Sequence, residues 1–396
     1  MKLHNSIILR SGLFAMLLVF VGHDASAAPP SRLVVSNNPA ICPAAKFTTI
    51  QDAINAATPG DEIVICNGIY AEQLSINKSL DIEADSGAFL VPASIQQNAM
   101  SLATGDAIAA AVLVSGATNV TISGLTVDGI NNGITECAPR LIGVYFQNSS
   151  GSLRHAAVRN FTLGTSLNAC QSGTGVFVES GGGQTSDVEI ADCSIHDYQK
   201  NGITANESGT TALIHNNVVT GIGPTTGAAQ NGIQIGFSAA GTIRKNTVAN
   251  NVWSPCTAVA TCETVATDIL VTESDNVHVT DNTAGISQVG IFVDGNRAEV
   301  RGNKVFAASV FENIRVQGNG NRILQNHVFN GGDADIYLQG NNNSISDNSI
   351  SEAPVGILET QGSTGNSFAT NAFFNVGVTI QDPAANSLSK RVVPDR

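Results

Sequence analysis

Short stretches in which apolar and polar residues alternate recur along the chain from about residue 110. Each stretch begins with glycine or another small residue, as in GVYFQN (143–148), GIQIGF (232–237), GIFVDG (290–295) and DIYLQG (335–340). Alternation with a period of two predicts β-strands in which every second side chain lies on the same face. We call these segments the glycine-led strands, and about eleven of them follow one another between residues 111 and 382.

A second short apolar segment follows most of the glycine-led strands and ends in asparagine. In the C-terminal part of the chain Asn282, Asn303, Asn326, Asn348 and Asn371 recur every 21–23 residues. Three short strands in each repeat of this length predict one coil of a β-solenoid. We expect the asparagine side chains to stack along the axis and to tolerate a left-handed turn. The sequence therefore predicts an all-β fold, a single-stranded right-handed parallel β-helix of about eleven coils.

Residues 47–60 (FTTIQDAINAATPG) depart from the strand pattern and predict a helix. Their apolar residues from Ile50 to Ala57 lie on one helical face, Thr48 and Gln51 form a capping box, and Pro59-Gly60 ends the helix. Because the exposed end of a solenoid needs a cover, we expect a short capping α-helix at the N-terminal end.

The N-terminal residues have the pattern of an export signal. Lys2 and Arg10 accompany a short apolar run over 13–21, and Ala25-Ser26-Ala27 offers small residues for cleavage near Ala27. We expect four segments: a signal peptide (1–27), a cap segment with the helix (28–60), the β-helix domain (61–382) and a C-terminal tail (383–396). An exported protein is periplasmic or extracellular. The apolar run is too short to span a membrane, and no later run reaches the ~20 residues that a transmembrane helix needs.

Composition restricts the partners. Lys and Arg total 19 against 32 Asp and Glu, for a net charge of −13. Nucleic acids and anionic membrane surfaces require a basic face, so neither is expected as a partner. An apolar content of 42% with 13% charged residues argues against disorder.

The stretch FTTIQDAINAATPGDEIVICNGIYAEQLSINKSLDIEADSG (47–87), followed by the asparagine-punctuated coils, resembles the pectin-lyase-like superfamily of right-handed β-helix proteins. That superfamily includes pectate lyases, polygalacturonases, pectin methylesterases and the periplasmic β-helix protein of copper-enzyme maturation. The segment Gly68-Ile69-Tyr70-Ala71-Glu72 is similar to the G-x-Y-x-E motif of pectin methylesterases, but the later motifs of these families are absent. We interpret it as structural, with a glycine turn, Tyr70 packed on the cap and Glu72 exposed. The resemblance implies the fold without indicating one enzyme family.

Four long insertions leave the coils at one corner, at 126–141, 160–173, 220–230 and 250–266. They are expected to form a wall beside the sheet of glycine-led strands, and the resemblance implies sugar binding on that sheet. Aromatic, amide and charged side chains that face outward there are typical of a sugar-binding groove. The candidate substrate-binding residues are Tyr145, Phe177, Gln234, Phe292, Arg315 and Tyr337.

The candidate catalytic residues are His196, Lys200, Asp268 and Glu179. A lysine or histidine beside the insertions can remove the proton α to a uronate carboxylate, as lyase chemistry requires; alternatively, His196 is a simple turn residue. Asp268 is the best-placed outward acid, but Gly232 and Gly290 in the same column offer no second carboxylate for a glycosidase pair.

Two functions therefore stay open. The first is a secreted lyase or hydrolase acting on polysaccharide, and the second is a non-catalytic β-helix that binds glycan or protein. No metal or cofactor is required by the sequence, although the acidic turn Gly331-Gly332-Asp333-Ala334-Asp335 leaves calcium as a possibility. We expect a monomer.

The register of the repeat makes the seven cysteines interpretable. Cys193 replaces the turn asparagine of other coils, so a buried, unreactive thiol is expected. Cys137 and Cys170 lie in corresponding insertions of consecutive coils, Cys256 and Cys262 share one insertion, and Cys42 and Cys66 flank the helix. We expect each of these three pairs to form a disulfide.

Overall fold

The alternating segments form short strands that stack in parallel on the equivalent strands of neighbouring coils. The computed structural model describes residues 29–259, 262 and 264–381, which hold three long sheets of 13, 12 and 13 strands. The chain visits the sheets in the order 1, 2, 3 and then begins the next coil. The signal peptide over 1–27 and the tail over 383–396 lie outside the described residues.

Sheet 1 contains the strands that precede the recurrent asparagine. Its order along the axis is Arg32–Val35, Glu62–Ile65, Asp81–Ala84, Val120–Ser123, Ser150–Arg154, Ser186–Ala191, Thr210–His215, Ala240–Arg244, His278–Thr280, Glu299–Arg301, Arg322–Leu324, Ser344–Ser346 and Ser367–Ala369.

Sheet 2 contains the strands that follow this asparagine. They are Gly68–Tyr70, Ala88–Leu90, Thr126–Asp128, Ala157–Phe161, Ser194–Tyr198, Val218–Thr225, Thr247–Trp253, Thr283–Ser287, Lys304–Ala308, His327–Phe329, Ser349–Ser351 and Ala372–Phe374.

Sheet 3 is built from the glycine-led strands. They are Leu74–Ile76, Ala107–Ser115, Arg140–Gln147, Thr174–Glu179, Asn201–Asn206, Asn231–Gly236, Thr267–Thr272, Val289–Asp294, Ile314–Gln317, Ala334–Gln339, Val355–Glu359 and Val378–Gln381, with Ala99–Met100 antiparallel to the second strand. A short 3₁₀ helix, Thr165–Leu167, lies in one insertion.

The predicted right-handed parallel β-helix is confirmed. Sheet 2 has 12 strands, one for each coil, against the eleven expected. The additional coil contains Leu74–Ile76, which has no leading glycine and therefore escaped the repeat pattern. Arg32–Val35, within the segment interpreted as the cap, pairs in parallel with Glu62–Ile65. The segment boundaries themselves stay a prediction.

The expected inward column forms the core. Val112, Val144, Val176, Ile203, Ile233, Ile269, Ile291, Ile314, Ile336 and Ile357 are all 0% exposed. Val378 is the exception, because it is 46% exposed and pairs with Val355. Ile380 lies opposite Ile357 instead, so the expected register was wrong by two residues in the last strand.

The leading glycine is required where the backbone turns between sheets 2 and 3. A Cβ on Gly143 would lie 2.4 Å from the carbonyl oxygen of Gly175. A Cβ on Gly202 would lie 2.5 Å from the Gly232 carbonyl oxygen and from a methyl group of Val219. These contacts are too short for any larger residue, so the glycines reflect close approach of neighbouring coils.

The asparagines form the expected ladder. The main-chain N–H of Asn217 donates to Oδ1 of Asn246 at 3.0 Å, and the N–H of Asn246 donates to Oδ1 of Asn282 at 2.9 Å. Cys193 occupies the same column and donates its N–H to Asn217. The left-handed residue is the one before each asparagine, such as Lys245 at φ 55°, rather than the asparagine itself.

The capping helix spans Ile50–Ala56, and its N-cap is Thr49 rather than the expected Thr48. The Thr49 hydroxyl accepts from the N–H of Asp52, while the carboxylate of Glu72 accepts from the N–H groups of Ile50 and Gln51 at 2.8 and 2.9 Å. Glu72 is thus half-buried and caps the helix instead of being exposed.

The expected disulfides Cys42–Cys66, Cys137–Cys170 and Cys256–Cys262 are present, and Cys193 is free and buried. Among the described residues, no helix is long and apolar enough to cross a membrane.

Candidate functional site

A cavity of about 380 Å³ opens on the outer face of sheet 3. Its floor is formed by Thr174–Glu179, Asn201–Asn206 and part of Asn231–Gly236, three neighbouring strands. One wall comes from residues 101–106, and Arg140 and Gln171 flank the strand beginnings. Glu207 and Phe237 lie where the strands end.

Glu179 attaches the wall to the floor. Its Oε1 accepts from the Ser101 hydroxyl at 2.8 Å and the Ala103 N–H at 3.2 Å, and its Oε2 accepts from the Leu102 N–H at 2.9 Å. The hydroxyl of Tyr145 also donates to Oε2. Both oxygens therefore accept two hydrogen bonds each, and the side chain is 1% exposed.

An aromatic pair lies beneath the cavity. The rings of Tyr145 and Phe177 stack with centroids 5.2 Å apart and planes 9° from parallel. Tyr145 is fully buried, and burial together with the neighbouring Glu179 carboxylate raises the pKa of its phenol far above the usual value. Phe177, in register with Thr204 on the next coil, lines the cavity.

Amides on adjacent coils form a polar network on the floor. Asn201 donates to the Thr204 hydroxyl at 2.9 Å and to Gln234 Oε1 at 3.3 Å. Gln234 in turn donates to Asn206 Oδ1 at 3.0 Å. Parallel in-register pairing places equal positions of successive coils side by side, so these side chains are oriented before any ligand arrives.

Charges of both signs border the cavity. Arg140 and the buried Lys200 lie near the strand beginnings, where Lys200 Nζ donates to the Ala229 carbonyl at 2.9 Å. Glu207 lies at the opposite end, and desolvation together with the charge of Glu179 raises its pKa. Asp106, at the edge of the wall, is exposed.

His196 is not in this cavity. It lies on the sheet 2 strand Ser194–Tyr198, where its Nδ1 is 2.6 Å from Asp197 Oδ2. The link between sheets 2 and 3 begins only after Tyr198. Lys200 therefore lies in that link, whereas His196 lies on sheet 2, although the two residues are close in the sequence.

Asp268 does not line the cavity either. Its side chain was expected to face outward, but it points into the corner of the coil. It is 0% exposed and accepts a hydrogen bond from Asn251 Nδ2 at 2.8 Å. Asn251 Oδ1 accepts from the Tyr198 hydroxyl at 2.6 Å. Burial raises the pKa of Asp268 well above its usual value.

Phe292, Arg315 and Tyr337 form a separate buried cluster farther along sheet 3. The Arg315 guanidinium lies 3.9 Å from the Tyr337 ring centroid and 2.8 Å from Glu312 Oε2. The insertion that contains Cys256 and Cys262 packs on Phe292, which is 0% exposed. These outward positions are covered by loops and do not join the cavity.

The wall at 101–106 was missing from the sequence interpretation. It belongs to the long connection between Ala88–Leu90 and Ala107–Ser115, which leaves the same corner as the four recognised insertions. This connection precedes the first glycine-led strand, so the repeat could not be used to recognise it as an insertion. Only its length distinguishes it from an ordinary link between two strands.

The acidic turn suggested for calcium is already internally bonded at Asp335. Its Oδ1 accepts from Asn313 Nδ2 at 2.8 Å and from the Gly331 N–H at 3.0 Å, and its Oδ2 accepts from the Ser351 N–H at 3.1 Å. No cluster of three or more metal-ligating side chains occurs within the described ranges.

The sequence of the C-terminal part is similar to a known family. The model of a family described as periplasmic copper-binding protein (NosD) matches residues 256–391. The search of curated proteins found no match.

Solved structures share the fold. The Dettilon tailspike protein is 17% identical with a TM-score of 0.56, over 82% of this chain and 63% of the tailspike chain. The A-module of a mannuronan C-5 epimerase from Azotobacter vinelandii is 14% identical with a TM-score of 0.51, over 84% of this chain and 92% of the module.

A lacto-N-biosidase of glycoside hydrolase family GH136 from Eubacterium ramulus is 11% identical with a TM-score of 0.57, over 87% of this chain and 68% of the enzyme chain. At these identities the likeness concerns the fold alone. The three parallel sheets, the asparagine ladder and these matches lead to one conclusion: the chain is a right-handed parallel β-helix repeat protein.

Proposed function

We propose that this protein binds polysaccharide in the cavity on sheet 3. The observation that carries the proposal is the combination of Phe177 with the oriented amides of Asn201 and Gln234 in one concave site. Apolar ring surface beside fixed hydrogen-bonding groups suits a sugar, which presents C–H faces and hydroxyl groups. The mannuronan epimerase and the lacto-N-biosidase with the same fold agree with a carbohydrate ligand.

The charges suggest which sugars fit best. Arg140 lies at the strand-beginning end, and its guanidinium can form two parallel hydrogen bonds with a carboxylate. A polysaccharide that carries uronate groups would place them there and keep its neutral hydroxyls over Thr204 and Gln234. Glu207 at the other end disfavours a second anionic group.

Lyase catalysis is the second candidate function, favoured by Lys200 in the same cavity as Arg140. In that reaction the uncharged Lys200 amine would take the proton α to a carboxylate held by Arg140; a C–C double bond would form as the glycosidic C–O bond at the β carbon breaks, and the leaving oxygen would take a proton from water. Glu179 is better suited to positioning than to catalysis, because all its acceptor positions are occupied. His196 and Asp268 face other surroundings and have no proposed role in this reaction.

The proposal extends to the setting of the protein. Three disulfides fit an exported protein in the periplasm or outside the cell. We propose that it acts as a monomer, with signal peptide, cap segment, β-helix and tail divided as the sequence predicts.

A glycan array with matched variants tests the binding function. Phe177→Ala and Gln234→Ala should lose at least tenfold in affinity for any retained glycan. Phe306→Ala is the control, because Phe306 lies half-buried on sheet 2 and stacks on Phe329 away from the cavity. Equal loss in all three variants, or in none, would place the binding surface elsewhere.

A panel of polysaccharides tests the lyase function. Lyase cleavage forms a double bond that absorbs ultraviolet light. Hydrolysis yields new reducing ends but no such double bond. Activity that disappears in Lys200→Ala but survives in Phe306→Ala supports the lyase. Binding without cleavage of any polysaccharide supports the non-catalytic function.

A further inference from the structure

The cavity on sheet 3 is short along the axis of the β-helix. Its floor consists of three neighbouring strands, and adjacent strands of a sheet lie about 4.8 Å apart. Of the described residues in the preceding strand Arg140–Gln147 and the following strand Thr267–Thr272, Arg140 alone lines the cavity. The cavity therefore ends within one coil on either side of its floor.

The wall at 101–106 closes the N-terminal boundary of the cavity. The side-chain amide of Gln147 donates to the carbonyl of Met100 at 2.7 Å. Glu179, the register partner of Gln147 on the next coil, accepts from the N–H of Leu102 at 2.9 Å. The wall is thus attached to two successive coils and stands across the path of a sugar chain that follows the axis.

A buried apolar cluster closes the C-terminal boundary. Leu270, in register with Gln234 of the floor, is 1% exposed. It belongs to the cluster that contains Cys256, Val265 and Phe292. Side chains of an insertion therefore cover the outer face of sheet 3 directly after the last floor strand, and a sugar chain finds no open surface there.

Hydrogen bonds join three of the long insertions into a second wall at the strand beginnings. The N–H of Ala228 donates to the Asn168 carbonyl at 2.8 Å, and the indole N–H of Trp253 donates to the Gly227 carbonyl at 2.8 Å. Lys200, whose Nζ also donates to a carbonyl of this wall, lies at its foot. The cationic end of the cavity is therefore closed as well.

The strand ends form the open side of the cavity. Asn206, Glu207 and Phe237 line it there, and all three are half-buried. The floor residues Phe177 and Gln234 are only 4 and 3% exposed. The opening thus lies opposite the cationic end, and the floor between them is recessed.

We propose that this cavity receives the end of a polysaccharide chain rather than an internal stretch. The inference rests on the proposed function and adds which part of the chain is bound. The terminal residue lies in the closed end with its carboxylate on Arg140, and the chain leaves past Asn206 and Phe237. A volume of about 380 Å³ is near the lower limit for ligand cavities and suits about one or two sugar rings.

Chains of one polysaccharide cut to different lengths test this inference. Sonication of alginate, polygalacturonate and hyaluronate creates new ends and leaves the repeating unit unchanged. If ends bind, a tenfold reduction in chain length should lower the half-saturating mass concentration about tenfold, with one protein per chain at every length. A half-saturating mass concentration that is independent of length, with more proteins on longer chains, would overturn the inference.

Matched variants separate this inference from the proposed function. Phe177→Ala should weaken binding at every chain length, whereas Phe306→Ala should match the wild type. Binding that Phe177→Ala weakens but that does not depend on chain length would overturn the chain-end inference alone. Failure of every fraction to bind, or equal binding by Phe177→Ala and the wild type, would contradict the proposed function and this inference with it.

If cleavage is observed, its products measure the same property. A lyase that acts at chain ends releases small unsaturated products of one size from the start of the reaction, and viscosity falls slowly. A broad range of product sizes with an early loss of viscosity would show internal cleavage and overturn the inference.

Discussion

The phenol of Tyr145 donates a hydrogen bond to the carboxylate of Glu179, two residues that lie on neighbouring strands of sheet 3 and are almost completely buried. Glu179 also receives hydrogen bonds from Ser101, Leu102 and Ala103, which are 76–78 positions away in the sequence. This carboxylate therefore determines where the wall of the cavity stands.

Replacing Glu179 should release that wall. Glu179→Ala leaves four donors without their acceptor; the Ser101 and Tyr145 hydroxyls are buried, and each buried unsatisfied group costs about 1–3 kcal/mol unless water reaches it. We expect a lower free energy of unfolding and faster proteolysis between residues 101 and 106. Tyr145→Phe removes one of the donors and should keep the segment attached. Equal proteolysis of Glu179→Ala and the wild type would show that other contacts hold the wall.

The inward position of Ile314 has a direct consequence for stability. Ile314 is 0% exposed between Ile291 and Ile336. Ile314→Asp should destabilise the fold by several kcal/mol because a carboxylate is buried without a partner. Ile314→Val should cost only about 0.5–1.5 kcal/mol. Thermal denaturation distinguishes the two, and a Tm of Ile314→Asp near that of wild type would contradict the register.

Asp335 should make stability depend on pH. Burial is the main cause that raises its pKa from 3.8 to about 7, and the nearby Glu352 adds to the effect. The folded state therefore binds a proton at Asp335 more tightly than the unfolded state does. The stabilisation is complete below about pH 4 and is lost as the pH rises through 7.

Asp335→Asn cannot titrate, so its Tm should fall less between pH 4 and pH 7 than the wild-type Tm. The exposed Asp347→Asn serves as a control and should keep the wild-type profile. Asp61 acts in the opposite direction, because hydrogen bonds lower its pKa and its contribution is lost in more acidic solution. Parallel wild-type and Asp335→Asn profiles would show that Asp335 does not titrate in this range.

Cys193 should resist alkylation in the folded protein. It is 2% exposed, and burial raises the pKa of its thiol to about 12, so little thiolate forms near neutral pH. Iodoacetamide should label it only after unfolding, while the six paired cysteines stay unlabelled until reduction. Labelling of native Cys193 at the rate of an exposed thiol would contradict its place in the asparagine column.

The periodicity of the sequence was enough to predict the coil, the core and one of the cysteine pairs. In a parallel β-helix, equivalent positions of successive repeats become neighbours in space, so a recurrence such as Asn303, Asn326 and Asn348 is already a list of contacts. Cys137 and Cys170 could be paired for the same reason. Within this column the register failed only for Val378, in the last described strand, which has a described neighbour on one side only.

Tertiary structure alone decided which outward side chains line the cavity. Phe292, Arg315 and Tyr337 have the same alternation as Phe177, but they are buried in a separate cluster, and the insertion that contains Cys256 and Cys262 packs on Phe292. Asp268 takes a position that glycine holds in neighbouring coils and so points inward. The path of a loop depends on individual distant bonds, such as Ser101 to Glu179 across 78 residues, and no local or periodic pattern in the sequence encodes such a bond.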